Sequence, residues 1–304
     1  MSERLPSYGG QAVIEGVLMR GASYAAIAMR APNGQIVVHS EPLGAVYRSP
    51  LTKIPFLRGL VILWDALGLG TRAITLSANL QTGEEEKIEG PALYLTLAFS
   101  LALAVALFFL APAAVGQLCE RYLGFNAWWS NVMEGLVRLA LLIGYIWAIG
   151  RIPEIQRVFA YHGAEHKTIN AFEARAELNP QSVARFSVEH PRCGTAFLLT
   201  LVLISVIVFS LLGPLPWLWR LISRVVMIPV LAGLAYEYIR WTARHLDVPF
   251  VRALIRPNLA LQHLTTREPS LDMLEVSIAA FNAMIALEAP AEEPVAQTQT
   301  VPAD

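Results

Sequence analysis

Four apolar runs, Pro91 to Leu118, Val132 to Gly150, Gly194 to Gly213 and Pro216 to Tyr238, dominate what this chain can become. Each is close to the roughly 20 residues that a helix needs to cross a hydrocarbon layer. Backbone amides in such a layer find partners only within a helix or a closed barrel, so the runs predict about four transmembrane helices. Composition agrees: 55% of residues are hydrophobic, 15% are charged and the mean hydropathy is +0.48. The fold class expected is a mainly α polytopic membrane protein with additional interfacial helices.

Basic residues set the expected orientation. Eight Lys or Arg precede the first run, six lie between Arg151 and Arg192, five follow from Arg240 onward, and the connection from Cys119 to Ser130 holds only Arg121. The positive-inside rule then places both termini and the 151–193 loop in the cytoplasm of a cell with an inner membrane, with Trp128, Trp129, Trp217 and Trp219 at the outer interface. Cys119 and Cys193 fall on opposite sides and are not expected to pair. The polar opening, Met1 to Pro6, has no signal-peptide pattern. A net charge of -1 and the lack of any reader motif argue against nucleic acid, leaving the lipid bilayer as the expected partner.

Four regions follow. Residues 1–90 form an amino-terminal cytoplasmic part. Within it, glycines 9, 10, 16 and 21 suggest tight turns around Gln11, Glu15 and Arg20. Asn33-Gly34 between two β-prone runs predicts a small hairpin. From Ile54 to Asn79 the pattern is helical, and Arg58, Asp65, Arg72 and Asn79 recur every seventh residue, which suits an interfacial helix better than a span. The acidic stretch to Gly90 reads as a linker. Residues 91–240 hold the four spans and the 151–193 loop. Residues 241–288 read as a helix broken at Pro257 and an amphipathic helix capped at Ser270, and 289–304 as a disordered tail.

Chemistry concentrates in the loop. A helix from Pro153 to Asn179 would place His162, Glu165 and His166, an H-x-x-E-H spacing, on one patch of a face that is otherwise apolar. Two imidazoles one turn apart are a natural pair of zinc donors, with the carboxylate beside them as general base. The same spacing also arises in helices that hold no ion. A second cluster brings His190 and Cys193, both favoured zinc donors. Glu237, about seventy residues past His166, is a rival third ligand, as in zincins of inverted order. Three ligands would leave an open, hydrolase-like position, whereas His162, His166, His190 and Cys193 together would close a structural clamp. The alternatives therefore are a metal-dependent hydrolase with catalytic Glu165, a non-catalytic scaffold or assembly factor clamped by zinc, and a metal-free polar network reaching Glu15, Arg20 or Arg267.

Four segments carry a resemblance: Tyr8 to Gly21, Tyr161 to Ile169, His190 to Thr195 and Leu264 to Pro269. In this order they resemble the YqhQ-like family of bacterial membrane proteins, and the likeness spans nearly the whole chain. Members are sometimes described as predicted metal-dependent enzymes. The resemblance thus implies His162, Glu165, His166, His190 and Cys193 as site residues, with Gln11 and Glu15 as additions, and implies no substrate.

Overall fold

The computed structural model describes residues 8–44, 49–82 and 90–288. The polar start, the acidic linker to residue 89 and the 289–304 tail lie outside the described residues, as does the side chain of Asp65.

The amino-terminal part is a four-stranded antiparallel meander, β1 (Gly9–Val13), β2 (Gly16–Arg20), β3 (Tyr24–Arg30) and β4 (Ile36–Pro42), in that order. The Asn33-Gly34 hairpin joins β3 to β4, with Gly34 at φ +84°. The turn expected around Glu15 is present at Ile14-Glu15, while Gly9, Gly10 and Gly16 belong to two further strands that were not expected. Glycine there serves close approach: a Cβ on Gly16 would meet the Ala28 carbonyl at 2.3 Å. β2 and β3 are buried on both faces, so their residues alternate between two cores, whereas β4 is largely exposed. Val17, Met19, Ala26 and Ala28 face α5 (Pro153–Glu173) and α11 (Leu271–Glu288). Leu18, Ala25, Ile27 and Met29 join Leu69 and Ala73 of α1 (Leu57–Thr82).

Among the described residues, three helices are long and apolar enough to cross a membrane: α1, the continuous helix Gly90–Leu123, and α4 (Ala127–Ile149). The continuous helix comprises α2 (Gly90–Val105), a π-helical stretch Ala106–Leu110 and α3 (Ala111–Leu123). The short α6 (Pro180–Val183) leads on to α7 (Thr195–Leu211), which is apolar but has only 17 residues. Next, α8 (Trp217–Val226) and α9 (Ile228–Arg244) make one possible span bent by 45°. α1 thus meets a length and hydropathy measure that its heptad of polar residues argued against. Two of them are partnered: Arg58 binds Glu237 and Arg72 lies 3.4 Å from Glu41. The second half of α1 nevertheless packs on the sheet, where Ser77 Oγ accepts the Ile14 N–H and Gln81 donates to the Arg30 carbonyl.

Two more elements differ from expectation. α5 stops at Glu173 rather than Asn179, because the chain turns through Arg175 at φ +57° and the Ala176 N–H returns to the Ala171 carbonyl. α10 (Pro249–Thr265) runs unbroken through Pro257.

The apolar helices are pinned by buried charge. Pro112 has no N–H to give the Phe108 carbonyl one turn back, and Arg138 Nε donates to that carbonyl instead at 2.7 Å. Arg138 also donates to Glu134 and to Ser205 Oγ, while Arg224 of α8 makes two bonds to Glu134 and one to Asn131 Oδ1. Each of the three charged side chains is 1% exposed. Truncating the shared carboxylate leaves two buried guanidiniums facing each other. Glu134→Ala is therefore expected to cost about 3–5 kcal/mol. Thermal unfolding in detergent checks this against Arg121→Ala, and equal melting temperatures for the two variants would contradict the cluster.

Candidate metal centre

α5 starts at Pro153, whose missing N–H costs nothing at the first helical position, with Glu154 favourably placed in the first turn. From Ala160 to Ala171 it is buried almost all round, yet this stretch spells Tyr-His-Gly-Ala-Glu-His-Lys-Thr-Ile-Asn between its alanines. A buried polar side chain needs a partner, and the neighbouring irregular segments supply backbone carbonyls. His162 Nδ1 donates to the Thr265 carbonyl at 2.9 Å and His166 Nδ1 to the Val188 carbonyl at 2.5 Å. Lys167 Nζ donates to the Ala184 and Phe186 carbonyls and lies 2.7 Å from Glu268. Asn170 donates to Ser187 and Glu189.

These bonds fix both histidine tautomers. With Nδ1–H committed, each ring keeps an Nε2 lone pair. The rings lie edge to face with centroids 4.4 Å apart, and His162 Nε2 is 3.2 Å from Cys193 Sγ. One donor atom each from His162, His166 and Cys193 lie within 4.8 Å of one another. Cys193 immediately precedes α7, and its sulfur also meets the Thr195 N–H at 3.4 Å and the Thr195 hydroxyl at 3.1 Å. A soft sulfur and two imidazoles oriented by backbone carbonyls are a donor set suited to zinc.

The other expected residues are placed as follows. His190 stacks 5.6 Å from His166, but its Nε2 turns to 3.8 Å from Glu173, too far for a hydrogen bond, and is buried without one. Burial holds its imidazole below the ordinary histidine value. Gln262 of α10 grips the His190 backbone at both N–H and C=O, each at 2.9 Å. Glu165 is fully buried one step round the helix, where it takes the Gly10 N–H of β1; burial raises its carboxyl to about 7 against the pull of nearby His162. Gly10 is required there, since a Cβ would lie 2.6 Å from the Leu18 carbonyl and 2.8 Å from Glu165 Cγ. Glu237 stands outside the three-donor group, held by Arg58 and the Phe56 N–H. Glu15, at φ +52° in the β1–β2 turn, pairs with Arg157 and accepts from Tyr161, on a different face from the histidines. Gln11 packs on Gly70 of α1. Arg267 offers its backbone to α5, with its N–H on the Phe159 carbonyl. Arg20 lines a cavity of about 650 Å³ whose wall includes Cys193 and Gly10.

Sequence reasoning missed the Thr265 and Val188 carbonyls, which carry no residue-type signal. It also missed Arg240 and Arg244 in the cavity wall, although their i, i+4 spacing at a helix end was readable.

The chain matches a known family over residues 54–287, described as "Protein of unknown function (DUF1385)". It is 36% identical over 308 residues to "Uncharacterized protein YqhQ" of Bacillus subtilis (strain 168), covering 95% of both chains. No solved structure matches it.

Two outcomes follow from this geometry. A Cβ on Gly163 would sit 2.2 Å from the Arg267 carbonyl, so Gly163→Ala should lose about 1–3 kcal/mol, while Gly144→Ala, with open space around it, should lose nothing. Melting curves of the two variants decide it. The Arg157 hydrogen bonds hold the Glu15 carboxyl below its ordinary value of 4.5, against opposing burial. The pair therefore stabilises the fold above that value and fades as pH falls through the lowered folded one. The melting-temperature gap between wild type and Glu15→Gln, worth about 1 kcal/mol or less for so exposed an arginine, should close as the solution is acidified below about pH 4; a gap that widens in acid contradicts the pairing.

Proposed function

The chain belongs to the DUF1385 family, and from that premise together with the site geometry we propose that it is a polytopic inner-membrane protein carrying a zinc site. The ligands are His162, His166 and Cys193, at the cytoplasmic face. One observation carries the proposal: both imidazoles are tied by Nδ1–H to backbone carbonyls, each keeping an Nε2 lone pair, and one donor atom each from His162, His166 and Cys193 gather within 4.8 Å, with His162 Nε2 hydrogen-bonded to the Cys193 sulfur. A divalent cation would take the place of the thiol proton between them.

The membrane reading is supported by the exposed apolar side chains along the helices, among them Tyr94, Leu95, Phe99, Ile207 and Leu211. In water such a belt is costly; against lipid it is not. The spans proposed are Gly90–Leu123, α4, α7 and the bent pair α8–α9, with both termini cytoplasmic. α1 lies at the interface, because its second half is committed to the sheet.

Three protein ligands leave a position for a substrate or water, the arrangement of catalytic rather than structural sites. A bound zinc ion would supply Lewis acidity and a water that ionises near neutral pH, suiting hydrolysis of an ester or amide. Cys193 borders the 650 Å³ cavity, and so does Gly10, which touches Glu165. Glu165 is thus the proton-accepting group proposed for this site. A second reading, the closed clamp, is favoured by the unpartnered His190 Nε2 close to His166.

Metal content of detergent-purified protein separates them. About one zinc per chain is expected in wild type, lost in His162→Ala, His166→Ala and Cys193→Ser and kept in His190→Ala and Glu237→Gln. Loss in His190→Ala as well would establish the clamp. Wild type without metal after zinc loading would end both readings.

A further inference from the structure

The cavity beside Cys193 has a chemistry that the metal centre alone does not explain. Its floor is backbone of β1 and β2, one wall is apolar surface of α1 (Ile62, Leu63, Ala66, Leu69), and the other is the end of α9. Arg20, Arg192, Arg240 and Arg244 all line it, and no acidic residue does among the described lining residues. Arg192 is occupied by Glu173, and Glu237 lies near enough to Arg240 to feel its charge. Even so, among the described residues lining the space the cationic side chains outnumber the carboxylates, and Arg240 and Arg244 carry the charge argument. Contrast the arginines between the apolar helices, where Arg138 and Arg224 converge on Glu134 and no room is left.

Shape adds to charge. A volume near 650 Å³ is that of a pocket for a sizeable small molecule. Its two flanking helices each carry an exposed tryptophan, Trp64 on α1 and Trp241 on α9, and such rings settle where hydrocarbon meets headgroups. A ligand there would put its anionic end among arginines and its tail against Ile62, Leu63 and Ile239.

We infer that this cavity binds an anionic phosphorylated amphiphile, a phosphate monoester carrying a hydrocarbon chain. The headgroup lies among Arg20, Arg240 and Arg244, and the chain lies along α1. Planar guanidiniums suit phosphate oxygens, and the apolar wall rejects a headgroup without a tail. The inference uses the membrane placement proposed above but not the metal. Because Cys193 is common to both sites, the phosphate would lie beside the three-donor cluster.

Native mass spectrometry of the full chain in detergent tests this, with dioleoyl phosphatidic acid, dioleoyl phosphatidylcholine and inorganic phosphate as probes. Phosphatidic acid should bind in preference to phosphatidylcholine and resist displacement by millimolar phosphate. Arg240→Gln/Arg244→Gln, at partly and fully exposed positions, should weaken it about thirtyfold. Ala66→Phe, which fills the space from α1 without changing charge, should weaken it too. Equal binding of the two lipids, or wild-type binding by both variants, overturns the inference. Displacement by inorganic phosphate also overturns it, in favour of a water-soluble phosphate ligand. Metal content measured on the same samples keeps the readings apart: a chain that holds zinc yet ignores phosphatidic acid defeats this inference alone.

Discussion

The structure depends on one demand: α5 is buried on nearly every side while carrying histidine, glutamate, lysine, threonine and asparagine. An unpaired polar group in such a place costs about 1–3 kcal/mol, more if charged, so each of these side chains dictates where some other backbone must run. Lys167 draws in Ala184 and Phe186, Asn170 draws in Ser187 and Glu189, His166 takes Val188, and His162 takes Thr265. Residues 184–190 and 266–268 lack regular structure, yet the carbonyls of Ala184, Phe186, Ser187, Val188 and Glu189, with that of Thr265 at the end of α10, are committed one by one to α5. The cluster with Cys193 is a consequence, because the segment that satisfies Lys167 and Asn170 delivers the cysteine three residues after His190.

The sheet answers the same helix from the other side. β3 reads Tyr-Ala-Ala-Ile-Ala-Met-Arg, and its alanines allow layers on both faces to come close. Gly10 of β1 and Gly163 of α5 are two of the close approaches: the first admits the Glu165 carboxyl, the second the Arg267 backbone. Glu288 closes the frame by accepting the Ser23 and Tyr24 N–H groups at the β2–β3 turn. α11, expected as an amphipathic surface helix, is for this reason a core element.

Much of this was readable from residues and some was not, for physical reasons. The i, i+4 spacing puts His162 and His166 on one face whatever surrounds them, so that pair was legible. Glu165 is 100° from His166 around the helix, and only the position of β1 decides that its carboxyl goes to the sheet. Cys193 was legible by its chemistry but not by distance, since the end of α5, the short α6 and the irregular chain around it lie between it and His166. Glu237 matched a spacing and failed on competition: Arg58, 179 residues away in sequence, claims its carboxylate. β1 and β2 were obscured because glycine signals turns in isolation, and its use for close packing shows only once the neighbour is in place. In α1 the heptad polar residues were visible, but their partners Glu41 and Glu237 were not.

The arginines around Glu134 and those lining the cavity show how satisfaction separates architecture from recognition. Arg138 spans the Phe108 carbonyl, Ser205 and Glu134, and Arg224 spans Asn131 and the same Glu134, with both guanidiniums near the Phe209 ring. Such a cluster holds α4, α7 and α8 in register and has nothing left to offer a ligand. At the α9 end the arginines line open space, and the carboxylate beside them, Glu237, is already spent on Arg58. The same residue type therefore serves as a bolt in one place and, at Arg240 and Arg244, as the positively charged lining of an open space in the other, and it is the second arrangement that lies next to Cys193.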